Sequence, residues 1–148
     1  MDCVFCKMVA GEIKPEKIYE SEHFFAILDA NPITKGHSII ISKRHFKTIF
    51  EMNDVETKQF GIDLFRISTL LGKTFGKHMN ISSTSGEYAS QSVPHFHLHF
   101  IPRQEGDRLW DGDKSRLVLD RSSGFPRMVI NADDLRKLAM KLRSGNDE

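Results

Sequence analysis

An α+β fold, an antiparallel sheet with one long helix packed on it and a second helix near the C-terminal end, is predicted from three features of the sequence. The stretch His95-Phe96-His97-Leu98-His99-Phe100-Ile101 alternates strictly between histidine and large apolar residues, the period-2 pattern of a β-strand. Phe60, Leu64, Ile67, Leu71 and Phe75 recur at spacings of three and four, the apolar stripe of an amphipathic helix. Between Lys17 and Lys43, short aromatic and β-branched runs are separated by polar and turn residues, which supplies further strands.

Composition narrows the class of partner. A chain of 148 residues holds one domain with a real core. Its net charge of +1 and 28% charged residues create no large field for nucleic acid or a membrane surface, so a small ligand is the expected partner. No apolar run approaches the ~20 residues of a membrane span, and Met1 to Cys6 lacks a secretory pattern, so the cytoplasm is the expected location. The two cysteines are spaced C-x-x-C, which in a reducing compartment points to a metal or redox site.

In chain order, Cys3 and Cys6 come first. Zinc needs four ligands, and His45 and His95 are the candidates for the other two; a redox dithiol is the alternative, without a thioredoxin-like βαβ setting around it. Residues 17–29 read as a β-hairpin running into the Asn31-Pro32 turn. Asp29, at its end, is either a turn-initiating acid or a carboxylate able to accept from two neighbouring hydroxyls. The run Gly36 to Lys43 reads as a buried strand, with His37 at its start as a structural or a functional histidine. Asn53 begins the long helix, with Glu56 placed for a capping box, and Gly76 fits its end. Asn80 to Gly86 reads as a polar strand. It leads into a loop of small residues, 87–93, either a plain connection or a cradle of backbone N–H groups and the Ser92 hydroxyl for a phosphate.

Pro94 is expected to start the histidine strand. Phe96, Leu98 and Phe100 then face a core while the histidines share the other face, alternate side chains standing ~6.6 Å apart. Such a row can handle one phosphate-sized group; a satisfied polar cluster or a metal-binding stripe are the plainer alternatives. Beyond it, Asp111-Gly112-Asp113 and Ser122-Ser123-Gly124 signal turns around a short strand at 116–119. Asn131 caps a last helix with a stripe of Leu135, Leu138, Ala139 and Leu142. His23 and His78 fit no pattern.

The stretch from His95 to Ile101 resembles in full the signature of the histidine triad (HIT) family, in which three histidines alternate with apolar residues. The resemblance runs from Cys3 to Arg103, so 1–103 reads as a HIT domain and 104–148 as a C-terminal extension packed on it. It implies a homodimer with the sheets joined across a two-fold axis, and a nucleotide substrate. By position, His97 would attack the α-phosphorus and carry a covalent nucleotidyl group, His99 and Ser92 would assist the leaving group, and His37 would support their hydrogen bonds. Asp29 would bind the ribose hydroxyls, Phe5 and Ile27 would lie near the base, and Gln91, Ser92 and Thr84 near the phosphates. Cys3, Cys6, His45 and His95 match the positions of a structural zinc, with no metal required for the chemistry.

This sequence departs from the family pattern at Ala30, Thr84 and Ser90, all at the nucleotide pocket. The resemblance implies hydrolysis of a nucleoside phosphoramidate, an acyl-nucleotide or a dinucleoside polyphosphate. The intact third histidine argues against the galactose-phosphate uridylyltransferase branch. A phosphorylase or nucleotidyltransferase of the same family, a nucleotide-binding interaction module and a protein using the triad itself to hold zinc are the alternatives.

Overall fold

The computed structural model describes residues 2–111, 114–115 and 127–146. Helix α1 (Val4–Val9) is followed by strands β1 (Lys17–Glu20), β2 (Phe24–Leu28) and β3 (Ser38–Ser42), helix α2 (Asp54–Phe75), strands β4 (Met79–Ser82) and β5 (His97–Pro102), a two-stranded ribbon of β6 (Trp110–Asp111) and β7 (Lys114–Ser115), and helix α3 (Ala132–Asn146). The main sheet has the order β1-β2-β3-β5-β4, and every pairing in it is antiparallel.

Register assigns the two faces. His97 pairs with Ile41 and His99 with Ile39, while Ile41 and Ile39 pair with Phe25 and Ile27. Directly opposed residues share a face, so these side chains line one side of the sheet. There Phe25, Ile27, Ile39 and Ile41 join Cys3 and Phe5 in a buried cluster. On the other face Leu98, Ile40 and Ala26 stand in one row and join Phe24, Phe96 and Phe100 in a core with Ile67, Leu70 and Leu71 of α2 and Leu135, Ala139 and Leu142 of α3. Because both faces are covered, β2 and β3 are buried at every position. That coverage explains why they read as continuous apolar runs rather than alternating ones.

Helix α2 begins as its sequence predicts: Asn53 Oδ1 accepts from Glu56 N (2.8 Å) and Glu56 Oε1 accepts from Asn53 N (3.1 Å), both halves of a capping box. Glu56 also accepts two hydrogen bonds from Arg44, at 2.8 and 2.9 Å, which ties the helix start to the loop carrying His45. A glycine is required at Gly36, where φ is +89° and an added Cβ would stand 2.5 Å from the Phe75 ring. Among the described residues, no helix is long and apolar enough to cross a membrane.

Two sequence expectations are corrected. The histidine strand starts at His97 rather than at Pro94, because the chain bends at 93–95, where His95 N bonds Val93 O (2.9 Å) and Phe96 N bonds Phe46 O (2.7 Å). The polar strand ends at Ser82 rather than Gly86, since the Ser83 hydroxyl turns to donate to the His97 carbonyl at 2.6 Å. Helix α1 was not signalled by any apolar period; Cys3 caps it, its Sγ accepting from Cys6 N at 3.4 Å. The strand at 116–119 and the turn at 122–124 lie outside the described residues.

Candidate functional site

His97 is the first residue of β5, with its ring against Phe5, centroids 5.0 Å apart. The Nδ1 hydrogen of His97 is donated to the His95 carbonyl at 2.7 Å. In a neutral ring this leaves Nε2 unprotonated, with its lone pair available to an electrophile. Burial holds the ring's pKa below the ordinary histidine value, so the neutral form is the resting one.

His99 is set by a second chain of contacts. The backbone N–H of Ile33 donates to His37 Nδ1 at 3.0 Å, so the neutral His37 ring carries its hydrogen on Nε2. That hydrogen is donated to His99 Nδ1, 2.8 Å away. His99 Nδ1 is therefore an acceptor, and its own hydrogen stays on Nε2. Two neighbouring imidazoles thus hold opposite tautomers, one with a bare Nε2 and one with an Nε2–H donor. His37 is fully enclosed, and desolvation, aided by His99, pushes its pKa down to about 2. Desolvation, with His97 and Arg127 nearby, takes His99 down to about 4.

Asp29 follows β2, with Oδ1 accepting from Asn31 N at 2.8 Å and Oδ2 3.7 Å from His37 Nε2. Its desolvation raises the carboxyl's pKa. Phe5 and Ile27 are both buried in the cluster on the histidine face. The loop before β5 supplies the other predicted residues. Gln91 is consumed within the protein: its Oε1 accepts from Gly86 N (2.8 Å) and its Nε2 donates to Lys47 O (2.7 Å) and Val93 O (3.1 Å), so it shapes the loop. Ser92 is exposed beside it, and Thr84 is half-buried just past β4.

Ser90, where the family pattern has glycine, takes φ +68° and ψ +34°. Gln91 N bonds Gly86 O (3.1 Å) and Ser90 N bonds Glu87 O (3.0 Å), closing a Schellman turn after the short 3₁₀ helix at Glu87–Ala89. The left-handed position survives the loss of glycine, at a cost of roughly 1 kcal/mol for the added Cβ.

Beneath the triad, four soft or imidazole donors converge. Cys3 Sγ lies 3.2 Å from His95 Nδ1, Cys6 Sγ lies 3.2 Å from His45 Nδ1 and 3.5 Å from His95 Nδ1, and the two Nδ1 atoms are 3.0 Å apart. Those separations are close to the edges, ~3.3–3.8 Å, of a tetrahedron built from ordinary zinc–sulfur and zinc–nitrogen bonds. His95 Nε2 donates to Ser42 O at 2.7 Å, which keeps the proton off Nδ1 and aims a lone pair at the cluster. The donor set fits a closed metal site. Burial and the adjacent Cys3 raise the Cys6 thiol's pKa, whereas a bound cation would lower it.

Compared with known proteins, residues 10–106 match the model of the HIT domain. The chain belongs to the HIT family. It is 40% identical over 103 residues to Protein hit of Bacillus subtilis, covering 69% of this chain and 71% of that one. It is 31% identical over 141 residues to adenosine 5'-monophosphoramidase HNT1 of Saccharomyces cerevisiae, covering 95% and 80%. Among solved structures, a Zn-bound histidine triad family protein from Mycobacterium smegmatis superposes with a TM-score of 0.72 at 29% identity, over 99% of this chain and 94% of that one.

Within this HIT protein, three groups at the site had no sequence signal. The Ile33 N–H and the Ser42 carbonyl act through the main chain and carry no side-chain signature. Arg127, whose Nη1 lies 3.5 Å from Asp29 Oδ2, comes from 98 residues further along the chain and belongs to no motif.

Proposed function

We propose that the chain is a nucleotide hydrolase that cleaves the bond at the α-phosphate of a nucleoside phosphoramidate or dinucleoside polyphosphate. The observation that carries this reading is the pair of opposed tautomers. His97 Nε2, bare because Nδ1 donates to the His95 carbonyl, attacks the α-phosphorus; a nitrogen–phosphorus bond forms and the bond to the leaving group breaks. His99, donating from Nε2, and the Ser92 hydroxyl stabilise the charge that collects on the phosphate and leaving group. Water then attacks the same phosphorus, and the nucleotide leaves His97 as its monophosphate. The phosphoramidase name of the yeast relative supports this substrate class.

The remaining residues bind and hold. Asp29 Oδ2 accepts from the ribose, Phe5 and Ile27 border the base, and Gln91 and Thr84 shape the phosphate loop. Zinc on Cys3, Cys6, His45 and His95 would supply structure alone, fastening the N-terminal segment to the strand that carries the triad; the Zn-bound relative supports that metal. The exposed Ile81 on edge strand β4 supports pairing of two copies into a homodimer, and a C-x-x-C pair directed at a metal fits a reducing, cytoplasmic setting. Residues 1–103 form the HIT domain and 104–148 its extension.

The test is intact-protein mass spectrometry after rapid, acid-free quenching with adenosine 5'-phosphoramidate and, separately, diadenosine tetraphosphate. One adenylyl group on the wild type and none on His97→Ala is the expected result. Turnover by His97→Ala at the wild-type rate would overturn the mechanism.

A further inference from the structure

The C-terminal segment delivers a cation to the edge of the site. Met128 N donates to Pro32 O at 2.7 Å and Arg108 Nη2 reaches Arg127 O at 3.5 Å, so the Arg127 backbone is strapped to the turn that follows Asp29. Its Nη1 donates to Asn31 O at 3.1 Å and stands 3.5 Å from Asp29 Oδ2. Because Asp29 Oδ1 already accepts from Asn31 N, Oδ2 is the oxygen left for a ligand. Arg127 is 46% exposed at its side chain, and among the described residues only Nη1 has a partner, which leaves Nε and Nη2 as donors.

A carboxylate only accepts hydrogen bonds and a guanidinium only donates them, whereas each hydroxyl of a sugar cis-diol does both. Placed side by side, the two groups complement such a diol: one hydroxyl gives its hydrogen to Oδ2 and the neighbouring oxygen receives one from the guanidinium. The contact between Arg127 and Asp29 is long and half in water, so little is lost when a diol takes its place.

We propose that Arg127 is a specificity-determining residue that reads the ribose cis-diol together with Asp29 and selects ribonucleotides over 2'-deoxyribonucleotides. The proposal rests on Asp29 being the ribose-binding residue. The 3'-hydroxyl gives its hydrogen to Asp29 and the 2'-oxygen accepts from Arg127, so a nucleotide without the 2'-hydroxyl leaves Arg127 without its acceptor while the contact to Asp29 remains.

Two measurements test it on the full chain: the dissociation constants of AMP and 2'-deoxy-AMP by calorimetry, and kcat/KM for adenosine 5'-phosphoramidate and its 2'-deoxy form. The wild type is expected to favour the ribose form by about tenfold or more, the usual worth of a hydrogen bond to a charged group. Arg127→Ala should bring that ratio within about threefold by weakening the ribose form, with the deoxy form changed less than twofold. Arg127→Gln, which keeps N–H donors, should give an intermediate ratio, and melting curves on both variants establish that they fold. An unchanged ratio would overturn the proposal, as would equal weakening of both nucleotides or tightening of both, the mark of a mere competitor for Asp29. If neither phosphoramidate is turned over but the AMP ratio collapses in Arg127→Ala, the hydrolase reading fails and the ribose reading stands. Turnover through a His97 adduct with an unmoved ratio would be the opposite outcome.

Discussion

The contacts of His37 can be separated by two substitutions. Asparagine at 37 places an amide oxygen near the Nδ1 position and keeps an acceptor for the Ile33 N–H, but it does not reach His99. Glutamine places an amide N–H near the Nε2 position and keeps the donor to His99, but leaves the Ile33 N–H without its acceptor. The 2.8 Å contact is what fixes His99 with its hydrogen on Nε2. Without it the ring divides between tautomers, and one preorganised donor at a phosphoryl site is worth ~10²–10³ in kcat. His37→Asn should therefore lose about a hundredfold in kcat for adenosine 5'-phosphoramidate, and His37→Gln less than about tenfold. Stability should rank the other way: the orphaned N–H in His37→Gln costs about 1–3 kcal/mol by urea denaturation. Ring ¹⁵N spectra of His99 report its tautomer directly. Equal kinetic losses in both variants, or a wild-type His99 protonated on Nδ1, would refute the relay from Ile33 through His37.

Acid should unfold the protein through the same histidines. His37 and His99 sit far below their unfolded value, at about 2 and about 4, so the unfolded chain binds more protons than the folded one below pH ~6.5. Their contribution is complete above that pH and is lost as pH falls, through about 4 for His99 and about 2 for His37. The expected cost is of order 1–2 kcal/mol each between pH 7 and 5, read by denaturation across that range; a flat profile would count against the burial of these rings. Metal analysis should find one zinc per chain. Stripping it with a chelator should lower the melting temperature by roughly 10 °C or more, as expected when a closed site that contributes folding energy is emptied. A protein that purifies metal-free with an unchanged melting curve would rule out the structural role.

Much of the fold was legible because its signals are local. The capping box at Asn53 and Glu56, the stripe on α2 and the alternation in β5 each depend on neighbours a few residues apart. Side-chain donors with distinctive chemistry, the C-x-x-C and the histidines, also announced themselves. Contacts between remote segments did not. Nothing near Arg127 in sequence indicates that Asp29 lies beside it. The bend that turns His95 out of the strand follows from the meeting of Cys3, Cys6 and His45 with it, which no local period records. At Ser90 the sequence departs from the glycine of the family pattern, but the two turn hydrogen bonds outweigh the preference of a single residue.

The partner of His97 is the main-chain oxygen of His95, an atom that every amino acid provides. What the proposed nucleophile depends on is thus the path of the peptide between 95 and 97, while the side chain at 95 serves the metal cluster. In a lineage that lost its cysteines, the chemistry would survive wherever other packing kept that peptide in place. Inheritance of the metal and inheritance of the reaction are separable, even though one residue touches both.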